Sequence, residues 1–186
     1  MSLLKQNRIA PSTQTEYATR EDYCKLFAEN EESLYLLSFL LTVNREKADQ
    51  CVVTGLGDCV EGNFVFKEWA NSWARRIIIR SAIRLMAPRP SYKVPALIAV
   101  DSVEVDNLLM QLQDTALAGV LTLADFDRFV FVLTVLEKYS EQNCALLLGA
   151  THREVKESRE RALQHIADSA GNTFTPESGY ECMVVH

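Results

Sequence analysis

The chain has 186 residues, is 48% hydrophobic and 24% charged, and sets 19 basic side chains against 25 acidic ones. Those fractions fit a globular protein and exclude the disordered, collagen-like and disulfide-dense classes. At about 100–200 residues per domain, the length allows one medium domain or two small ones. The longest apolar run, Leu34 to Leu41, is interrupted by Tyr35 and Ser38 and falls well short of the ~20 residues that span a bilayer. Met1 to Thr19 is polar and lacks the apolar centre of a signal peptide. The expectation is a cytoplasmic protein without membrane insertion.

The cysteines Cys24, Cys51, Cys59, Cys144 and Cys182 form no CxxC pair and are odd in number, so they read as reduced thiols. Cys51 and Cys59 are close enough on a helix to suggest metal, but His152, His165 and His186 are all remote in sequence. Buried structural cysteine is the expectation, with no metal and no cofactor. Charge is segregated. From Trp69 to Val100 the basic residues Arg75, Arg76, Arg80, Arg84, Arg89 and Lys93 meet no acid, and the remaining residues carry −12 together. A basic segment on an acidic body suggests a local anionic partner.

In chain order, residues 1–20 are polar and aperiodic and read as a loose arm. Apolar residues at Tyr23, Leu26, Phe27, Leu34, Leu37 and Leu41 predict helix from Arg20 to Leu41, broken near Asn30. A second helix is predicted from Arg45 through Ala48, Val52 and Leu56 toward Val60, its later half weakened by Gly55, Gly57 and Gly62, which mark a turn. A third runs from Phe66 to Met86, with Trp69, Trp73, Ile77, Ile78, Ala82 and Leu85 as the buried stripe. Arg76, Arg80 and Arg84, spaced by four, form a basic ridge on the other side. Pro88, Pro90 and Pro95 end that helix and stiffen a linker. Residues 97–120 fit either a short helix around Leu108 to Leu112 or an extended stretch from Ile98 to Val105.

Thr122 and Asp125 predict a capping box, followed by a helical stripe of Phe126, Phe129, Val130, Leu133 and Leu136 up to Tyr139. Ser140 should cap a helix from Glu141 to Leu148 that stops at Gly149. Thr151 and Glu154 should open another that runs to Asp168. Ala145, Gly149 and Val155 supply a small residue, a turn glycine and a buried aliphatic at helix-turn-helix intervals. The predicted fold class is all-α: two small helical domains, 21–86 and 121–168, joined by a Pro-containing linker 87–120, with a tail at 169–186.

The stretch from Asp125 to Ile166, "DFDRFVFVLTVLEKYSEQNCALLLGATHREVKESRERALQHI", resembles region 4 of bacterial RNA polymerase sigma factors of the extracytoplasmic-function type. Arg128, Val130, Phe131, Leu133, Tyr139, Ser140, Ala145, Leu148, Gly149, Val155, Lys156, Arg161, Ala162 and Leu163 stand where that family's pattern expects them. Upstream, "LYLLSFLLTVNREKADQCVVTGLGDCV" is similar to region 2, in which a helix with an Ala-Glu-Asp stretch docks on the polymerase. Ala48 and Asp49 match, while Gln50, Val53 and Thr54 replace acidic or amide residues. "FKEWANSWARRIIIRSAIRLM" resembles the family's promoter-melting helix. The resemblance implies partners in core RNA polymerase, through Ala48, Asp49 and Val52, and in promoter DNA. It assigns DNA contact to Arg75, Arg76, Arg80 and Arg84, and to Thr151, His152, Arg153, Lys156 and Arg159 of the last helix. It also implies an anti-sigma factor held between the two domains, which would splay at the linker.

Two departures bear on function. Glu157 and Ser158 stand where the family places a small polar residue and a phosphate-contacting Arg. From Leu121 onward six basic residues face ten acids, so the second half lacks the usual charge for duplex DNA. The alternative is a diverged sigma-like regulator that works through protein contacts. The arginine ridge has its own alternative, a solvated face balanced by a neighbouring acidic helix. No P-loop, GxGxxG, HExxH or nucleophile elbow is present, and no catalytic residue is expected.

Overall fold

The computed structural model describes residues 16–62, 64–90 and 115–171. Residues 1–15 of the expected arm, 91–114 of the expected linker and 172–186 of the expected tail, Cys182 among them, lie outside the described residues. Within the described residues the fold is all-α, with eight α-helices. They are α1 (Arg20–Glu29), α2 (Glu31–Thr42), α3 (Arg45–Glu61), α4 (Ala70–Met86), α5 (Thr115–Leu121), α6 (Asp125–Phe131), α7 (Glu141–Leu148) and α8 (His152–Gly171). A 3₁₀ turn, Lys67–Trp69, precedes α4, and a π-helical segment, Val132–Leu136, prolongs α6. Tyr17 forms an isolated antiparallel bridge with Phe66, and the Ala18 amide donates to the Val65 carbonyl at 2.7 Å. No helix among the described residues is long and apolar enough to cross a membrane.

The predicted boundaries have local causes. Thr19 and Asp22 make a reciprocal capping box at the start of α1, and the chain breaks at Asn30. α2 ends at Val43 in the left-handed region (φ 49°). That conformation costs a β-branched residue roughly 1–2 kcal/mol, offset because Val43 is buried in the core. Asn44 then caps α3, its Oδ1 accepting from the Lys47 amide at 2.9 Å. Gly55 is needed for a close approach to α4: a Cβ there would stand 3.0 Å from Ile78 Cγ1.

The capping box predicted at Thr122 does not form. Its hydroxyl bonds the Ala118 and Gly119 carbonyls at 3.3 and 3.0 Å and lies 2.9 Å from His165 Nε2. Asp125 instead accepts from Arg128 Nη2 at 2.6 Å, and Ala124, at the N-cap position of α6, offers no side-chain cap. The later boundaries follow the sequence signals. Ser140 accepts from the Asn143 amide, and Gly149 ends α7 at φ 62°. Glu154 accepts from the Thr151 amide at 2.7 Å while Thr151 accepts from the Glu154 amide at 3.2 Å. Ala145, Leu148 and Val155 are all buried where α7 meets α8. A Cβ on Gly149 would meet nothing within 4 Å. Gly149→Ala should therefore cost only the backbone strain, about 1–2 kcal/mol in urea unfolding.

α2, α3 and α4 pack on one another, α6 and α5 pack on α8, and α2 touches α6. One contiguous apolar core results, from Tyr23 and Leu34 through Ile78 to Phe129, Leu133 and Ala162. Cys51, Cys59 and Cys144 are buried in it, and Cys24 is exposed. Burial pushes the thiols of Cys59 and Cys144 up to about 12. Both stay protonated in the fold at pH values where the unfolded chain has lost the proton. Their contribution is fully present below the ordinary thiol pKa near ~8.5 and is lost as pH rises toward 12. Between about pH 9 and 11 each thiol should remove roughly 1.4 kcal/mol of stability per pH unit. Serine at both positions should flatten that part of a urea-unfolding pH series.

Candidate nucleic-acid interface

Two surfaces contain the residues singled out in the sequence. The first is α4. Trp73, Arg76, Arg80 and Arg84 follow at intervals of three, four and four, which sets them on one face of α4, and Trp69 stands four residues ahead of Trp73 in the 3₁₀ turn. Trp69 was expected in the buried stripe; it is instead 57% exposed. The 3₁₀ turn ahead of α4 directs it outward, edge-on to Phe66 with ring centroids 5.3 Å apart. Phe66 stacks on Tyr17 at 4.8 Å, and Phe64, 88% exposed, meets Tyr17 edge-on. Trp73 is half-buried, with its indole N–H buried and unpaired.

The arginines divide into two classes. Arg76 and Arg80 are exposed and have no hydrogen-bond or ion-pair partner among the described residues. Arg84 pairs with Asp58 of α3 at 2.8 Å, the balancing acidic helix that the alternative reading required. Arg75 is committed to Glu137, which follows the π-helical segment: Arg75 Nε donates to Oε2 at 2.9 Å and Nη2 donates to Oε1. Its Nη1 donates to Ser33 Oγ at 2.9 Å. The Glu137 hydrogen bonds raise the guanidinium pKa above its ordinary value against the opposing effect of burial. Beside this pair opens a polar cleft of about 420 Å³, walled by Ser72, Lys138, Tyr139, Ser140 and Asn143.

The second surface is α8 with the turn before it. Thr151 is used as a cap, its hydroxyl donating to Glu154 at 2.8 Å. His152 Nε2 lies 3.1 Å from Glu141 on α7, and Arg159 Nη1 reaches the same carboxylate at 3.4 Å. Arg153 pairs with Glu157 at 2.7 Å. Lys156 is exposed and has no partner among the described residues. Ser158 is fully buried and donates to Asp127 at 2.6 Å, so that position faces the core.

On α3, Ala48 is fully buried, Val52 is half-buried and Asp49 is exposed, with Val53 beside them 71% exposed. A docking surface there would be made by Asp49, Val52 and Val53, with Ala48 packing beneath.

Glu137, Glu141, Asp58 and Ser33 were not legible as partners. Glu137 is 62 residues from Arg75, and no local pattern joins them. The Arg153–Glu157 pair had a signal, the i,i+4 spacing on a helix. No protein-family model matches this sequence, and no curated protein matches it.

Proposed function

We propose that this chain is a sigma-like transcription initiation factor of the extracytoplasmic-function type, which binds core RNA polymerase and engages promoter DNA. One observation carries the reading: the outward stripe on α4, in which the exposed ring of Trp69 leads into the unpaired guanidinium groups of Arg76 and Arg80. Aromatic faces stack on unpaired bases and guanidinium forks bind phosphate, so this order suits a melted strand better than a closed duplex. The α7–α8 pair, with its glycine turn and buried Val155, would serve as a helix-turn-helix presenting Thr151, His152, Arg153 and Lys156. Asp49, Val52 and Val53 would dock on the polymerase, which supplies the catalysis in the cytoplasm. An anti-sigma factor is the natural regulator in this reading.

Run-off transcription tests it. Core polymerase supplemented with this protein, on fragmented genomic template, should yield discrete transcripts absent with core alone. An identical pattern with and without the protein would overturn the proposal.

A second reading is favoured by α8 itself. With His152, Arg153 and Arg159 all facing carboxylates of the same chain, little positive charge remains for duplex phosphates. A diverged sigma-like regulator acting through protein contacts fits that surface. It predicts capture of a protein partner without any new transcript.

A further inference from the structure

The ion pair between Arg75 and Glu137 joins the helices before residue 91 to those after residue 114. We propose that it is a latch, which closes the junction between α4 and the segment ahead of α7 and withholds Arg75 from nucleic-acid phosphate until a phosphate displaces the carboxylate. The proposal rests on the reading of α4 as a nucleic-acid helix given above.

Three observations support a latch. First, the pairing is fork to fork, the geometry in which a guanidinium also takes a phosphate, so one anion can replace the other at the same donors. Second, the pair is sheltered, with side chains 27% and 10% exposed, whereas the Arg84–Asp58 pair within the first group of helices is 61% and 40% exposed. A sheltered pair is screened less by salt and holds its two elements more firmly. Third, the open cleft flanks the pair, and the exposed cations Arg76 and Lys138 stand near it without partners among the described residues. Burial raises the pKa of the Tyr139 phenol on the cleft wall, and the nearby charge of Arg76 opposes that rise. A phosphate entering there meets positive charge before it meets Glu137. A second tie crosses the same junction deeper in the core: Arg128 Nη2 donates to the Leu41 carbonyl at the end of α2, at 3.3 Å.

The test measures the junction directly. Cys24 is exposed while Cys51, Cys59 and Cys144 are buried, so a full-length C182S/E160C chain accepts one spectroscopic label on α1 and one on α8. Glu137→Gln keeps the shape and removes the charge; it should lengthen and broaden the label-to-label distance distribution. The charge-swapped R75E/E137K chain should restore the original distribution. Glu137→Gln should also tighten binding of a short single-stranded DNA by about five- to tenfold at fixed salt. An unchanged distance in Glu137→Gln and in Glu137→Lys would overturn the latch, whatever the DNA result. Opening with no DNA affinity in any chain would keep the ion pair as the clasp of the junction and overturn both its role in withholding Arg75 from phosphate and the reading of α4.

Discussion

Replacing Arg128 with alanine is expected to destabilise the protein by about 3–5 kcal/mol, a large share of the ~5–15 kcal/mol that holds a domain together. Its side chain is 2% exposed. Nη1 donates to the Leu123 carbonyl at 2.8 Å and Nη2 to the Leu41 carbonyl at 3.3 Å. Removing it leaves both carbonyls without these donors and opens a cavity where α2 meets α6. The carboxylate of Asp125 contributes little to the loss, because it is 44% exposed and rehydrates. Burial lowers the guanidinium pKa, against the opposing pull of Asp125, and Nε has no acceptor, so the residue is held at some cost and the net loss stays below the sum of its contacts. Arg161 is the control. It pairs with Asp127 at 2.7 Å but is 50% exposed, and Arg161→Ala should cost no more than about 1 kcal/mol. Urea unfolding followed by circular dichroism separates the two. Equal losses would mean that Arg128 does not tie α2 to α6.

The largest functional effect is expected from Arg76→Ala with Arg80→Ala. Both side chains are exposed and unpaired among the described residues, so stability should stay within about 0.5 kcal/mol of the native chain. If α4 meets DNA, promoter-directed transcription should be abolished. The salt dependence of promoter binding by the polymerase complex should flatten by about two in log–log slope, one for each phosphate that no longer has a guanidinium to neutralise it. Arg84→Ala should have a smaller effect, because Arg84 already pairs with Asp58. Unchanged transcription in the double variant would return the stripe to the role of a solvated face.

The features legible in the sequence were those fixed over three to five residues. Ser140, Gly149 and the Thr151–Glu154 pair specified the boundaries of α7 and α8 because caps and left-handed turns depend on local backbone geometry. The break at Asn30 and the end of α3 at Gly62 were equally local. Thr122 shows where local signals stop: its hydroxyl has carbonyl acceptors in the preceding turn and His165 of α8 beside it, and the expected cap gives way to them. Trp69 shows another limit. Its apolar ring placed it in the expected core stripe, whereas its spacing from Trp73, Arg76 and Arg80 sets it on the exposed side, away from the buried Ile78 and Ala82. The π-helical segment Val132–Leu136 likewise had no signature in a string of apolar residues that fits an α-helix as well.

The candidate site was half legible. The spacing of Arg76 and Arg80 identified an outward cationic face on α4. The carboxylates that face Arg75, His152 and Arg159 come from elsewhere in the chain, Glu137 after the π-helical segment and Glu141 on α7, and only the fold brings them together. Of the cations on α8, Arg153, Arg159 and Arg161 pair with carboxylates of the same chain.

Whether this scaffold works on RNA polymerase is decided most directly by its affinity for bacterial core enzyme. In a fluorescence titration of the intact protein, labelled at Cys24 in a C182S background, nanomolar binding is expected, about −12 kcal/mol. Asp49→Lys and Val53→Asp should weaken it. Absence of binding at micromolar concentration would overturn the sigma-like reading and leave a helical scaffold whose partner is another protein.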